Sequence, residues 1–164
     1  MDLADGFVRG MRRLASGVCV VTTATADGSP CGLTATAVSS LSVTPPSLVV
    51  GVNRRSRLGE VIGEVPAFAV NILGTQHRPV AEVFAGRVAG VRGTARFDHG
   101  DWRPSAEGVL VLGDAPAHFL CKVDGVVERA THLLLIGAVT DVHVSDEKCS
   151  LLIYFSQNFS AISS

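Results

Sequence analysis

The stretch "CGLTATAVSSLSVTPPSLVVGVNRRS" (31–56) decides the fold, because extended apolar segments alternate there with small hydroxyl residues and end in two arginines. β-branched residues favour strands, and Pro45 and Pro46 separate two of them since proline cannot donate to a sheet ladder. Strands are therefore predicted over 31–43 and 47–52. An Asp-Gly pair at 27–28 predicts a hairpin turn that joins 31–43 to an earlier strand over 18–25.

Outside this stretch, the chain alternates further strands with a few short helices. Phe7, Met11 and Leu14 share the spacing of one helical face near the N-terminus. We predict helices over 5–15, 57–65 and 77–86, and strands over 18–25, 31–43, 47–52, 67–73, 117–128, 131–144 and 150–155. Many strands with few helices favour an antiparallel β-barrel over a doubly wound sheet. No repeat or linker divides the sequence, so one domain over 1–164 is predicted.

Composition excludes several classes of protein. The chain has 164 residues, of which 47% are hydrophobic and 18% charged, which excludes a disordered chain. A net charge of -1 with no basic cluster argues against nucleic-acid binding. No apolar run is long enough to span a membrane, and the N-terminus is a poor signal peptide, so a cytoplasmic protein is expected. Cys19, Cys31, Cys121 and Cys149 are widely spaced, which favours reduced thiols over a zinc site.

No nucleotide-binding glycine motif of the GxGxxG or GxxxxGK[ST] type is present, so a bound phosphate would have to be held differently. Backbone N–H groups, short hydroxyls and arginine can cradle an anion, and "TATAVSS" and "NRRS" supply these groups. The alternative interpretation is structural. In it, Thr34 and Thr36 are ordinary strand residues, while Ser39 and Ser40 begin a turn.

The five histidines show no HxxxH or HxH spacing, so a metal site is not predicted. His77 and His99 stand in polar, loop-like contexts, and His118 and His143 are expected at exposed strand positions. His132 opens the most apolar strand, where it could reach a pocket or serve the structure alone. No GxSxG motif indicates a nucleophilic serine.

Taken in order, the segments "CGLTATAVSSLSVTPPSLVVGVNRRS", "FAVNIL", "FAG", "RF…W", "ATHLLLIGAV" and "LLIYF" resemble the short-chain flavin reductases of the FMN-binding split-barrel family. The resemblance covers about residues 7–159 and is nearest to the branch that includes the reductase component of 4-hydroxyphenylacetate 3-monooxygenase. It implies a six-stranded antiparallel split β-barrel with short flanking helices, assembled as a homodimer. It also implies NAD(P)H-dependent reduction of FMN or FAD, with the reduced flavin passing to a separate flavin-dependent monooxygenase.

The resemblance assigns roles to particular residues. The implied flavin-binding residues are Thr34, Ala35, Thr36, Ala37, Val38, Ser39, Ser40, Asn53, Arg54, Arg55, Ser56, Phe84, Ala85 and Gly86. The implied nicotinamide side consists of His132, Tyr154, Phe155 and Asn158. Hydride transfer requires no proton from a side chain, so His132 is expected to position the nicotinamide rather than act as an acid or base.

Two places depart from the family pattern. Ala130 stands where a glycine is usual, and the tail carries Ser156, Gln157, Asn158 and Ser160 in place of an arginine and a terminal imidazole or phenol. The choices between FMN and FAD and between NADH and NADPH stay open. Three alternative functions also stay open: a non-catalytic flavin-binding module, a reductase of another acceptor such as a corrinoid, and an oxidase of the pyridoxamine-phosphate type.

Overall fold

The computed structural model describes residues 2–163, which form mostly strands with a few short helices. The helices are α1 (Leu3–Met11), α2 (Arg57–Val61) and α3 (Arg78–Phe84), with 3₁₀ helices at Thr75–His77 and Gly93–Asp98. The strands are β1 (Ser16–Gly17), β2 (Cys19–Ala24), β3 (Pro30–Ala35), β4 (Val38–Val43), β5 (Pro46–Asn53), β6 (Ala67–Ile72), β7 (Trp102–Pro104), β8 (Leu110–Leu112), β9 (Ala117–Arg129), β10 (His132–Val144), β11 (Leu151–Phe155) and β12 (Asn158–Ile162).

The main sheet is antiparallel and has seven strands in the order β3-β2-β6-β9-β10-β5-β4. The predicted all-β architecture with few helices is confirmed, but the predicted number of six strands is wrong. The predicted strand over 31–43 breaks into two, because Ala35 pairs with Cys19 on β2 whereas Val38 pairs with Val50 on β5. The interpretation of Ser39 and Ser40 as the start of a turn is also wrong, because both lie within β4.

The break at Thr36 and Ala37 curls the sheet. β3 and β4 are its two opposite edges, yet only these two residues separate them in the chain. A two-residue link can join the edges only if the sheet curves until they meet. The Gly51 N–H donates to the Ala37 carbonyl at 2.8 Å, which fixes the link against β5. Within residues 2–163, no hydrogen-bonded ladder joins β3 to β4, so a seam remains between them.

The largest apolar core lies inside the curled sheet. It contains buried side chains from β2, β3, β5, β6, β9 and β10, with Leu58 and Ile62 from the region of α2 closing one end. Phe68 on β6 fills the space beside Gly137, where any Cβ would meet its ring. Burying such side chains stabilises the fold by about 1.5–3 kcal/mol each.

A second core packs α3 and the smaller sheets against the other face of the main sheet. The three-stranded sheet has the order β1-β11-β12, and β7 pairs with β8. Phe84, Phe97 and Trp102 form an aromatic cluster there, with ring centroids 5.0 to 5.2 Å apart. This aromatic cluster holds the loop-rich segment after α3 against the body of the protein.

The helices are shorter than predicted. The predicted helix over 5–15 ends at Met11, and none of its residues is buried, so Phe7 is 67% exposed on an uncovered apolar face. The helix predicted over 57–65 ends at Val61, and the one over 77–86 spans Arg78–Phe84. No helix among residues 2–163 is both long and apolar enough to cross a bilayer. A cytoplasmic location stays a prediction.

The loop-like prediction for His77 is wrong, because His77 is buried. Its Nδ1 accepts the Gly74 N–H at 3.0 Å, and its Nε2 lies 3.2 Å from a carboxylate oxygen of Asp114. These contacts place the imidazole inside the protein as a structural clamp. His118 and His143 stack across β9 and β10 with ring centroids 5.0 Å apart; His143 is exposed as predicted, but His118 is half-buried.

Cys19, Cys31 and Cys121 are buried and free, as the prediction of reduced thiols requires, while Cys149 is half-buried and also free. Burial raises the pKa of Cys19 and of Cys121 to about 12. These two thiols therefore stay protonated and unreactive at neutral pH. Among the described residues, no three His, Cys, Asp or Glu side chains converge in a way that could hold a metal ion.

Candidate functional site

A cavity of about 590 Å³ opens at the seam of the sheet. Four parts of the chain meet there: β3 with the link after it, the turn between β5 and α2, the end of α3 with the segment after it, and the start of β10. Its wall consists of residues 31–37, Gly51, Asn53, residues 55–57, Phe84, Ala85, Gly93, Arg96 and His132.

Most of the predicted flavin-binding residues converge on this cavity. Those on its wall are Thr34, Ala35, Thr36, Ala37, Asn53, Arg55, Ser56, Phe84 and Ala85, joined by His132 from the predicted nicotinamide side. They come from four separated stretches of sequence. Their spacing in the sequence does not explain why these residues are close together, whereas the curl of the sheet does.

Five predicted flavin-binding residues lie off the wall: Val38, Ser39, Ser40, Arg54 and Gly86. The first three follow the break after Ala37 and belong to β4, where both serines are exposed. Arg54 turns away toward the β9–β10 hairpin: its side chain donates to the Ala130 carbonyl and lies 3.7 Å from Glu128. Gly86 adopts φ +72°, which turns the chain away after α3.

The tail residues Tyr154, Phe155 and Asn158 do not line the main cavity. Tyr154 lines a smaller hollow of about 160 Å³ together with Arg87 and Phe159, and this hollow shares three wall residues with the main cavity. The Arg87 guanidinium donates to the Tyr154 hydroxyl at 3.0 Å and lies 5.1 Å from the centre of the Phe159 ring. The predicted nicotinamide side is thus only partly assembled around the main cavity.

The turn between β5 and α2 is held by its own polar side chains. Asn53 Oδ1 accepts the Arg55 N–H at 2.9 Å. The Ser56 hydroxyl donates to the Asn53 carbonyl at 2.6 Å and accepts the Gly59 N–H at 3.0 Å, which caps α2. Since a capping serine satisfies one of the helix's unpaired N–H groups, this turn is stabilised locally. It presents the exposed side chain of Arg55 at the cavity.

Small side chains let the backbone of β3 and β5 approach whatever the cavity holds. Ala35, Ala37 and Gly51 form this part of the wall. A Cβ added at Gly51 would lie 3.0 Å from the Ala37 Cβ, so the link after β3 already touches β5 there. The Thr34 hydroxyl donates to the Ala81 carbonyl on α3 at 2.7 Å. Thr34 therefore ties the wall together, and its hydroxyl hydrogen is not available to a ligand.

The cavity wall is positively charged. Arg55, Arg57 and Arg96 lie on it, and no Asp or Glu does among the described residues. The nearest carboxylate contact is with Glu60, 3.5 Å from Arg57 and outside the wall. Burial raises the pKa of the Cys31 thiol, and the positive charge of Arg57 acts against that rise. The cavity is therefore suited to an anionic ligand.

Sequence reasoning missed several residues of the wall: Cys31, Gly32, Leu33, Gly51, Arg57, Gly93 and Arg96. Arg57 follows "NRRS" directly, so extending that motif by one residue would have found it. Arg96 begins the segment "RF…W", but nothing in that segment indicated a place on the cavity wall.

His132 stands at the first position of β10, opposite Asn53 on β5 and Arg129 on β9. Its Nδ1 lies 2.8 Å from the Thr131 hydroxyl. Ala130 in the preceding turn has φ +48°, a left-handed conformation that costs an L-residue about 1–2 kcal/mol. The turn thus retains a conformation typical of glycine, and it places the imidazole at the cavity wall.

Residues 11–163 match a family model described as a flavin reductase like domain. The chain belongs to this flavin reductase family. It is 38% identical over 167 residues to a flavin reductase (NADH) of Kitasatospora aureofaciens, which covers 97% of this chain and 85% of that protein. It is 35% identical over 155 residues to the 4-hydroxyphenylacetate 3-monooxygenase reductase component of Pseudomonas aeruginosa, covering 94% and 89% of the two chains. The family predicted from the sequence is confirmed.

The similarity extends to three-dimensional structure. The structure of the flavin reductase PheA2 in its native state matches with a TM-score of 0.86 and 29% identity over the whole of both chains. A second matching structure, from Haemophilus somnus, has a TM-score of 0.88 and 28% identity, covering 99% of this chain and all of that one. This chain thus shares its overall fold with solved structures of flavin reductases.

Proposed function

We propose that this flavin reductase family member transfers hydride from NADH or NADPH to FMN or FAD bound in the seam cavity. The observation that carries the proposal is the wall itself, which combines small residues of β3 and β5 with three arginines and, within residues 2–163, no carboxylate. Curated relatives are named as NADH-dependent reductases of flavin or of FMN, which supports the same activity.

The residues present fit a flavin nucleotide. A volume of about 590 Å³ is within the range of roughly 300–1,000 Å³ typical of small-molecule sites. The flat ring needs a close backbone approach, which Ala35, Ala37 and Gly51 permit. The phosphate needs cations and hydroxyl groups, which Arg55 and Ser56 supply.

The protein's contribution is positioning and electrostatics. A bound flavin supplies the hydride acceptor. Backbone groups of Ala35, Thr36 and Ala37 would hold the ring edge, and N–H donors there would favour the negative charge that reduction builds up. His132, which lies on the cavity wall, would position the nicotinamide. No acid–base dyad is needed, because hydride transfer moves no proton from a side chain.

The finer architecture and the assembly belong to this proposal. The curled sheet with its open seam supports the FMN-binding split barrel implied by the resemblance. Exposed apolar side chains, with Leu3 87% and Val43 85% exposed, support a homodimer that covers them. Relatives are named as reductase components of a resorcinol hydroxylase and of a two-component tryptophan halogenase. The proposed partner is accordingly a separate flavin-dependent monooxygenase that receives the reduced flavin by diffusion.

The test is steady-state oxidation of NADH and of NADPH by the purified protein, with FMN, with FAD and without flavin. We expect flavin-dependent oxidation with at least one nucleotide, well above the rate without protein. No flavin-dependent oxidation with either nucleotide would sink the proposal. Tight flavin binding without turnover would instead support a non-catalytic flavin-binding module.

A further inference from the structure

Arg96 lies on the wall of the seam cavity. It begins the segment "RF…W", for which the sequence predicted no binding role. It belongs to the 3₁₀ helix Gly93–Asp98, and the next residue, Phe97, packs against Phe84 at 5.0 Å and against Trp102 at 5.1 Å between ring centroids. The aromatic cluster therefore fixes the backbone that carries the arginine. A guanidinium held in this way can act as a defined part of a binding site.

The hydrogen-bonding capacity of Arg96 is largely unused. Its Nη1 donates to the Gly32 carbonyl at 3.4 Å, near the limit for a hydrogen bond. Its Nε is buried and has no partner within residues 2–163, and no carboxylate there forms an ion pair with the side chain. An unsatisfied buried donor destabilises the folded chain, because it has lost its hydrogen bonds to water. A ligand that carries a hydrogen-bond acceptor satisfies this donor once the guanidinium reorients toward the ligand.

Arg96 shares the wall of the cavity with Arg57. Arg96 donates to the carbonyl of Gly32 on β3, and Arg57 follows the turn that carries Arg55 to the same wall. Since no Asp or Glu lies on the described wall to neutralise these cations, the wall attracts an anion.

We infer that Arg96 binds the phosphate of the flavin nucleotide together with Arg57, and so selects phosphorylated flavins over riboflavin. The inference rests on the proposed function, because it needs a flavin in the seam cavity. A guanidinium suits the role since its planar fork of N–H donors matches two phosphate oxygens at once. Arg96 is then a specificity-determining residue supplied by a segment remote from the turn at 53–57.

The experiment compares the dissociation constants of FMN and riboflavin, which differ only in the phosphate. Binding is followed by quenching of flavin fluorescence in the wild-type chain, in Arg96→Met and in Arg92→Met. Arg92 is the matched control, because it is exposed, lies on the same segment and is not on the wall. We expect Arg96→Met to weaken FMN binding about tenfold or more and riboflavin binding less than twofold. Arg92→Met should change neither.

Arg96→Lys provides a second variant that retains the charge but loses the planar fork. We expect its FMN affinity to fall between those of the wild type and Arg96→Met, with riboflavin affinity unchanged and a thermal unfolding midpoint close to wild type. Equal losses for both flavins in the two Arg96 variants would overturn the inference, and so would no loss for either flavin. A wild-type chain that binds neither flavin would contradict the proposed function itself, which is a different result.

Discussion

The turn between β5 and α2 lines the seam cavity, whereas the C-terminal hairpin of β11 and β12 lines the smaller hollow beside it, and the two are built differently. In the turn, Asn53, Ser56 and Gly59 are joined by hydrogen bonds of 2.6 to 3.0 Å. The helix that follows buries Leu58 completely in the largest core. Local polar bonds and core packing therefore hold this side of the cavity in one geometry.

The hairpin is buried only along β11, which contributes Leu152 to the second core. Ser156 and Gln157 form its two-residue turn with φ +51° and +67°, angles that favour asparagine or glycine over the residues present. β12 has no buried residue, and its Phe159 packs against the second core with the Arg87 guanidinium 5.1 Å from the ring centre. The turn and β12 can therefore change in sequence without replacing a buried residue.

The difference teaches where the family pattern can vary. In the proposed site, the anionic part of a nucleotide meets the rigid turn, while the replaced tail residues 156–160 belong to the turn of the hairpin and to β12. Substitutions at the two sides should consequently separate stability and flavin binding from the use of the pyridine nucleotide.

The largest effect is expected from Gly59→Ala. An added Cβ would meet the Asn53 carbonyl oxygen and lie 2.9 Å from the Arg54 Cα, both of them backbone atoms that cannot move aside independently. We expect the free energy of unfolding to fall by about 2–3 kcal/mol, measured by denaturant titration, with a loss of FMN affinity. Gly63→Ala is the control, because nothing lies within 4 Å of its Cβ. Equal stability of the two variants would contradict the rigid-turn interpretation.

An intermediate effect is expected from Ser56→Ala, which removes the cap of α2 and a hydroxyl on the cavity wall. The free energy of unfolding should fall by about 1 kcal/mol, and FMN binding should weaken in the same variant. Ser39→Ala removes an exposed hydroxyl of β4 that is off the wall, and should leave both quantities unchanged. If Ser39→Ala weakened FMN binding as much as Ser56→Ala, the wall described here would be wrong.

The smallest effect on stability is expected from Tyr154→Phe, which deletes the hydroxyl that accepts from Arg87 and leaves the ring in place. Unfolding should change by less than about 0.5 kcal/mol, and FMN affinity should not change. The KM for the pyridine nucleotide should rise about twofold if the hollow beside Tyr154 receives part of it. Phe155→Leu is the comparison, because the sequence predicted Phe155 on the nicotinamide side and the structure places it off the cavity wall. A rise in KM in Phe155→Leu but not in Tyr154→Phe would favour the sequence prediction.

Local patterns in the sequence predicted much of the fold. The Asp-Gly turn at 27–28 and the apolar segments over 18–25, 67–73 and 131–144 correspond to the observed hairpin and to β2, β6 and β10. These signals are carried by neighbouring residues, which is why they could be read without knowledge of the tertiary structure. The family resemblance then supplied the cavity residues at 34–37 and three of the four at 53–56, all but Arg54.

What the sequence did not show depends on contacts between distant parts of the chain. The break after Ala35 exists because Val38 pairs with Val50 instead of continuing along β2, and no residue at 36–37 marks it. His77 is buried because its two ring nitrogens contact the Asp114 carboxylate and the Gly74 N–H. Arg96 reaches the cavity because Phe97 packs on Phe84. Each of these outcomes is decided by tertiary packing, which overrides local pattern.

The seam between β3 and β4 has a consequence for how folding and ligand binding are coupled. The cavity needs β5 paired with β10 and the 3₁₀ helix docked on α3, so it is absent until these sequence-distant contacts have formed. A ligand that binds there binds the native state and not the unfolded chain. At a hundredfold excess over its Kd, such a ligand would stabilise the protein by about 2.7 kcal/mol. The supply of flavin in the cell would therefore affect how long this protein stays folded as well as its catalytic rate.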